Sequence, residues 1–390
     1  MKTVYLDNNA TTRVADEVRE AMSPYFSELY GNPSSMHTFG GQVHRNIEVA
    51  REKAAALINA DPEEIIFTSC GTESDNTAIM SCLESAPHKK HILTTRVEHP
   101  AVLNFCKTMA RRGYRVTFLP VDRSGSLNLE ELKASITDDT AVVSIMYANN
   151  ESGVIFPMDQ ISEIVKSRGA PLHTDAVQAA GKVPVDVRKV PVDMMSISGH
   201  KIHAPKGIGA LYIRRGVRFI PYIIGGHQEK GRRAGTENVA AIVGFGVACE
   251  LAKKHVNTAT ATVRQLRDRL EQGLLAACPD TRVNGDTHNR LPNTTNISFE
   301  YVEGEAILLR LNEYNICASS GSACTSGSLE PSHVLRSMGV PFTAIHGSVR
   351  FSLSAYNTDD DIEMVLRIMP GIITELRELS PYGREVKRSF

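Results

Sequence analysis

The stretch Asp193-Met194-Met195-Ser196-Ile197-Ser198-Gly199-His200-Lys201 reads as a short apolar run that stops at a glycine and hands over to ionisable residues. A run of that length, closed by a turn residue, predicts a buried strand with Lys201 just past its carboxyl end. Working outward, the same pattern recurs. Glu64-Ile65-Ile66-Phe67-Thr68 leads into Ser69-Cys70-Gly71-Thr72-Glu73-Ser74, and His91-Ile92-Leu93-Thr94-Thr95 leads into Glu98-His99-Pro100. Ala141-Val142-Val143-Ser144-Ile145-Met146 runs to Asn149-Asn150-Glu151, and Pro171-Leu172-His173-Thr174 to Asp175-Ala176-Val177-Gln178. Val116–Leu119 and Ile208–Ile213 complete the series of strands.

Helical spacing separates these runs, as in Val43, Ile47, Ala50, Ala54 and Leu57. Strands alternating with amphipathic helices predict an α/β fold, a mostly parallel sheet with helices on both faces. A long helix is expected from about Glu237 to Lys254. Beyond it the pattern changes to a smaller α+β region containing Asn296–Phe299, and a final helix over Asp360–Leu379 starts near Thr358. The expected division is a large α/β domain over 15–257 and a small α+β domain built from 1–14 and 258–390.

Composition narrows the function. With 390 residues the chain exceeds one average domain. Lys and Arg total 43 against 44 for Asp and Glu, so no basic surplus marks a nucleic-acid binder. No apolar run is long enough to span a bilayer, and Met1–Asp7 does not read as a signal peptide, so a cytoplasmic location is expected. The cysteines number 7, and none is spaced Cys-x-x-Cys. That argues against a disulfide framework or a zinc ribbon and leaves most of them as small core residues; no metal site is expected.

Ligands of open α/β sheets bind beyond the carboxyl ends of the strands. Singly, the residues found there have ordinary readings. Gly71-Thr72 and Asp175 could cap helices, His99 could shape a turn, Asn150 could sit in a loop, and Gln178 and Lys201 could face water. Together they meet the needs of pyridoxal phosphate. Lys201 supplies an amine for a Schiff base, and Asp175 a carboxylate for the pyridine nitrogen. The helix opening at Gly71-Thr72 offers N–H groups to the phosphate, with Ser198 and His200 as further donors. His99 would stack on the ring, and Asn150 and Gln178 would bind its phenolic oxygen. Lys206, between Pro205 and Gly207, is the rival amine; its place in a turn ahead of the next strand makes Lys201 the better choice.

The motifs Tyr5-Leu6-Asp7-Asn8-Asn9-Ala10-Thr11-Thr12, Gly31-Asn32-Pro33-Ser34-Ser35, Thr72-Glu73-Ser74-Asp75-Asn76, His173–Gln178 and Gly199-His200-Lys201 resemble those of the cysteine desulfurases. These are fold-type I pyridoxal-phosphate enzymes of the aminotransferase class V group, and the resemblance runs from about residue 3 to residue 380. The stretches Gly225–Glu229 with Gly231–Asn238, His200–Gly207 and Phe299–Ala306 look closest to the NifS type. The resemblance implies a homodimer in which Thr236 reaches the partner's phosphate site, with Asn32 and Arg350 holding the substrate carboxylate. It also implies sulfur delivery to an iron–sulfur scaffold protein, with nitrogenase maturation as one destination.

Ser319-Ser320-Gly321-Ser322-Ala323-Cys324-Thr325-Ser326-Gly327-Ser328 contains only small residues. A tether of this kind suits a cysteine that must reach a bound substrate and then present sulfur elsewhere. The segment matches the family's active-site loop, with Cys324 as the nucleophile and Cys317 structural. The expected reaction takes L-cysteine to L-alanine and leaves a persulfide on Cys324. Lys201 moves the α-proton with help from His99, and a protonated His99 would favour the thiolate. A selenocysteine lyase and a class V aminotransferase remain as alternatives on the same fold. A nucleotide-binding regulator is disfavoured, because no Gly-x-Gly-x-x-Gly follows a strand.

Overall fold

The central strands lack the apolar–polar alternation of a half-exposed sheet because both their faces are covered. Every residue of Ile65–Thr68, His91–Thr95, Thr140–Ser144, Leu172–Asp175, Met194–Ser198 and Gly209–Ile213 is buried. A computed structural model describes residues 2–320 and 331–380.

In chain order the elements begin with β1 (Val4–Tyr5), α1 (Asp16–Met22), α2 (Pro24–Ser27), α3 (Thr38–Leu57), β2 (Ile65–Thr68), α4 (Gly71–Ser85) and β3 (His91–Thr95). Next come α5 (Pro100–Arg111), β4 (Arg115–Leu119), α6 (Leu129–Ser135), β5 (Thr140–Ser144), α7 (Met158–Ser167), β6 (Leu172–Asp175), β7 (Met194–Ser198) and β8 (Gly209–Ile213). The remainder are α8 (Val239–Thr258), α9 (Thr260–Ala277), β9 (Thr281–Val283), β10 (Thr294–Phe299), α10 (Gly304–Glu313), β11 (Ile316–Cys317), α11 (His333–Ser337), α12 (Phe342–Ile345), β12 (Ser348–Ser352) and α13 (Asp359–Leu379).

The large sheet has seven strands in the order β2-β8-β7-β6-β5-β3-β4. Its neighbours are parallel except at β8, which runs antiparallel to both β2 and β7. The exception follows from the connection. β8 follows β7 through a short turn, which lacks the length a parallel crossover needs.

On one face of this sheet, Ile47, Ile65, Phe67, Ile145, Ile197 and Phe245 share a core; on the other, Ile79, Ile92, Val102, Cys106 and Leu211 form a second cluster. Helix α8 lies against α3 at close range, where a Cβ on Gly246 would stand 2.6 Å from the Ala50 Cα. A separate core gathers Leu6, Leu270, Ile297, Phe299, Leu311, Phe351, Ile362 and Met369 around the antiparallel sheet β12-β10-β9. Helix α13 begins where Thr358 caps it, its Oγ1 accepting from the Asp361 N–H. Val334, Leu335, Met338 and Ile345 belong to the large-sheet core, although they lie late in the chain. No described helix is long and apolar enough to cross a membrane.

Candidate functional site

The carboxyl ends of the parallel strands deliver their polar residues to one cavity of about 370 Å³. Its lining includes Gly71 and Thr72 from the start of α4, His99 ahead of α5, and Asn150 beyond β5. Asp175 ends β6, Gln178 follows it, and Ser198, His200 and Lys201 come from the end of β7 and its turn. Arg350 arrives from β12. The convergence expected at the sheet's edge is therefore physical.

Lys201 extends from the turn after β7, and its Nζ donates to the carbonyls of Asn9 at 2.6 Å and Ala10 at 2.7 Å. Lys206 is exposed and does not line the cavity. Asp175 is 6% exposed and accepts a hydrogen bond from the Val177 N–H at 2.9 Å. Burial holds its carboxyl above the usual range, against the pull of that N–H and of Lys201. A second carboxyl, Asp75 of α4, is also buried in this wall and raised further by burial and by Asp175. Its Oδ1 lies 3.5 Å from Nε2 of His173, which burial keeps neutral.

His99 precedes Pro100, and its Nδ1 accepts from the Ala101 N–H at 3.2 Å. The proton of the neutral ring therefore sits on Nε2. Burial, with Lys201 and His333 adding positive charge, pushes His99 down to about 4. That shift runs against the protonated His99 expected from the sequence and favours a neutral ring beside the cavity. His200, pushed down to about 4 by burial and then by Lys201, pairs with Oγ1 of Thr11 at 3.2 Å.

The start of α4 has features of an anion site. The residue ahead of it, Cys70, makes no side-chain cap, and the Oγ of Ser198 beside it is buried without a hydrogen-bond partner among the described residues. A Cβ on Gly71 would stand 2.8 Å from Cγ2 of Val177, so glycine lets the backbone approach here. An uncapped helix start beside an orphaned hydroxyl is what a phosphate would satisfy. With a lysine amine and a buried carboxylate in the same cavity, the residues present fit pyridoxal phosphate.

Arg350 is 2% exposed. Its guanidinium donates to the Asn150 carbonyl at 3.0 Å and to Asp7 Oδ1 at 2.7 Å, and its Nε has no partner among the described residues. Asn32 and Thr236 lie elsewhere, together lining a depression with Tyr25, Tyr30 and Pro33. Cys324 lies outside the described residues. Among the described residues, no group of three or more His, Cys, Asp or Glu side chains is gathered to hold a metal ion. Cys82, Cys106, Cys249 and Cys278 are buried free thiols, and Cys317 is a half-buried one at β11.

The sequence profile of the family described as "Aminotransferase class-V" matches residues 4–365. The chain belongs to the aminotransferase class-V family. A member named "Cysteine desulfurase" from Trichormus azollae is 63% identical over 385 residues, 99% of this chain and 96% of that protein. "Cysteine desulfurase NifS" from Azotobacter vinelandii is 57% identical over 383 residues, 98% of this chain and 95% of that protein. A solved structure described as a NifS-like protein superposes with a TM-score of 0.91 at 40% identity, covering 96% of this chain and all of that one.

Residues that single-sequence reasoning left unassigned complete the cavity. Asn9 is the hub: its carbonyl holds Lys201 and Gln178, its Nδ2 reaches Thr294 Oγ1 at 2.8 Å, and its Oδ1 accepts from Lys182 and Asn293. Asp7 and Asn9 belong to a motif quoted for its resemblance, yet nothing in the local pattern said what an N-terminal arm would touch.

Proposed function

We propose that this protein is a pyridoxal-phosphate-dependent cysteine desulfurase that converts L-cysteine to L-alanine and carries the sulfur as a persulfide on Cys324. One observation carries the cofactor assignment: Lys201, the buried Asp175 and the uncapped start of α4 line a single cavity. Sequence identity of 63% to a cysteine desulfurase over nearly the whole chain carries the reaction.

Bound pyridoxal phosphate supplies an electron sink for the carbanion left when the substrate's α-proton departs. Asp175, at the end of β6 in the cavity wall, would keep a proton on the pyridine nitrogen. Gly71, Thr72 and Ser198 would hold the phosphate, Gln178 and Asn150 would bind the phenolic oxygen, and His99 would stack on the ring. Lys201 would hold the cofactor through its amine, and its Nζ is the base that would carry the substrate's α-proton. In the structure that amine donates to the Asn9 and Ala10 carbonyls. Arg350 binds the substrate carboxylate. The Cys324 thiolate attacks the substrate sulfur, so an S–S bond forms as the C–S bond breaks and its electron pair stays with the substrate carbon.

In this reading the protein is a homodimer, Thr236 reaches the partner's phosphate site, and Asn32 holds the substrate carboxylate together with Arg350. The sulfur passes to an iron–sulfur scaffold protein, nitrogenase maturation being one destination. The free thiols suit a reducing, cytoplasmic setting. The large α/β domain at 15–257 and the smaller one from 1–14 and 258–390 meet at the cavity.

Two variants test the assignment. Cys324→Ala should keep the cofactor's colour and lose sulfide release; full turnover with cysteine and reductant in that variant would remove the persulfide. Lys201→Ala should show no lysine adduct after borohydride reduction, whereas an adduct on Lys206 would overturn the choice of amine.

A further inference from the structure

Behind the main cavity lies a second one of about 290 Å³, lined by Lys182, His203, His255 and Tyr356. Lys201 lines both cavities, but Lys182 lines only the rear one. From there Lys182 Nζ reaches forward to Oε1 of Gln178 at 2.5 Å and to Oδ1 of Asn9 at 3.0 Å. Gln178, in turn, lines the main cavity and donates from Nε2 to the Asn9 carbonyl at 3.0 Å.

A glutamine amide has two nearly isosteric ends, one a donor and one an acceptor, so its neighbours decide which end faces a ligand. Here the rear neighbour is an amine whose two partners are both oxygens. Asn9 cannot offer its nitrogen instead, because its Nδ2 is committed to Thr294 Oγ1 and the Asn150 carbonyl. Lys182 therefore donates to both oxygens, and it has enough N–H bonds to do so whether charged or neutral.

We infer that Lys182 is a positioning residue that pins Gln178 by its oxygen and so turns the Nε2 donor toward the phenolic oxygen of the bound cofactor. The inference rests on the pyridoxal-phosphate reading and extends it to a residue outside the main cavity. A donor at that oxygen favours the cofactor form with full negative charge there. It therefore lowers the pH at which the visible band titrates. Without Lys182 the amide keeps one anchor instead of two and can present its oxygen, and the transition moves up.

The cavity's other charged groups, Lys201, Arg350, Asp175 and Asp75, are unchanged by a substitution at 182. A charge on Lys182 would act on the cofactor directly and shift the titration in both backgrounds, so a double-mutant cycle separates that route from the one through Gln178. The pH titration of the cofactor's visible band is followed in the wild type, Lys182→Met, Gln178→Leu and the double variant. The expected result is a rise of about one unit for Lys182→Met, and no further rise when it is added to Gln178→Leu. Lys182→Arg, which keeps N–H donors, should restore most of the wild-type value. Equal shifts of Lys182→Met in both backgrounds, or none in either, would overturn the inference while leaving the cofactor assignment standing. A wild type that takes up no pyridoxal phosphate would remove both. If the methionine variant does not fold, Lys182→Ala, whose truncated side chain opens onto the rear cavity, reads the same cycle.

Discussion

Glu98 shows how far burial can displace a single carboxyl. It is fully buried; its Oε1 accepts from Thr95 Oγ1 at 2.7 Å and the Met146 N–H at 3.1 Å, and its Oε2 has no partner among the described residues. Burial pushes it from 4.5 up to about 8, against those two donors. The folded state thus binds this proton more tightly than the unfolded chain does. Its contribution to stability is complete below about 4.5 and is lost as pH rises through about 8. Glu98→Gln keeps the acceptor and removes the titration. Unfolding free energies from denaturant titrations between pH 5 and pH 8 should fall for the wild type relative to the variant, by an amount on the order of a few kcal/mol. Parallel curves would contradict the assignment. At this scale, Asp175 and Lys201 were legible because each directly follows an apolar run. Lys182 was not: Gly181-Lys182-Val183-Pro184 reads as a surface turn, and only the fold shows its amine against Gln178. Nor could a sequence show that His99 would be neutral, since that depends on what encloses it.

At the scale of elements, α3 is tied to the loop before α8 by a buried ion pair. Arg51 meets Glu229 through two hydrogen bonds, of 2.7 and 2.9 Å, and Glu229 Oε2 also accepts from the N–H of Phe67 in β2. Removing one member of a buried pair strands the other charge, at a cost of roughly 3–5 kcal/mol. Glu229→Ala should therefore lower the unfolding midpoint sharply, and Arg51→Met/Glu229→Met should recover part of the loss. If the single variant costs under about 1 kcal/mol, the pair is not the anchor described. The central strands were readable because burial on both faces leaves unbroken apolar runs. The direction of β8 was not, since Ile208–Ile213 carries the same apolar run as its parallel neighbours. The two-residue strands β1 and β11 pair only with each other and leave no periodic trace.

For the whole molecule, the cavity is a joint product of two cores. The large sheet supplies the lysine and the carboxylate, whereas Arg350 comes from the small antiparallel sheet and is held by Asp7 of the N-terminal arm. A planar guanidinium can bind a carboxylate through two N–H groups, and an ammonium cannot match that geometry. Arg350→Lys should raise KM for cysteine about tenfold or more, with a smaller change in kcat. An unchanged KM would place the carboxylate elsewhere. No pattern in one chain could say whether Asn32 and Thr236 act in their own cavity or a partner's, because that depends on an assembly and not on local spacing.

Cysteine desulfuration is checked by adding L-cysteine and a reductant to the protein loaded with pyridoxal phosphate, while recording the visible band and assaying both products. The band should change at once, and alanine and sulfide should accumulate in equal amounts. A band that changes without sulfide would leave a cofactor enzyme of another reaction, and a protein that binds no cofactor would contradict the account outright.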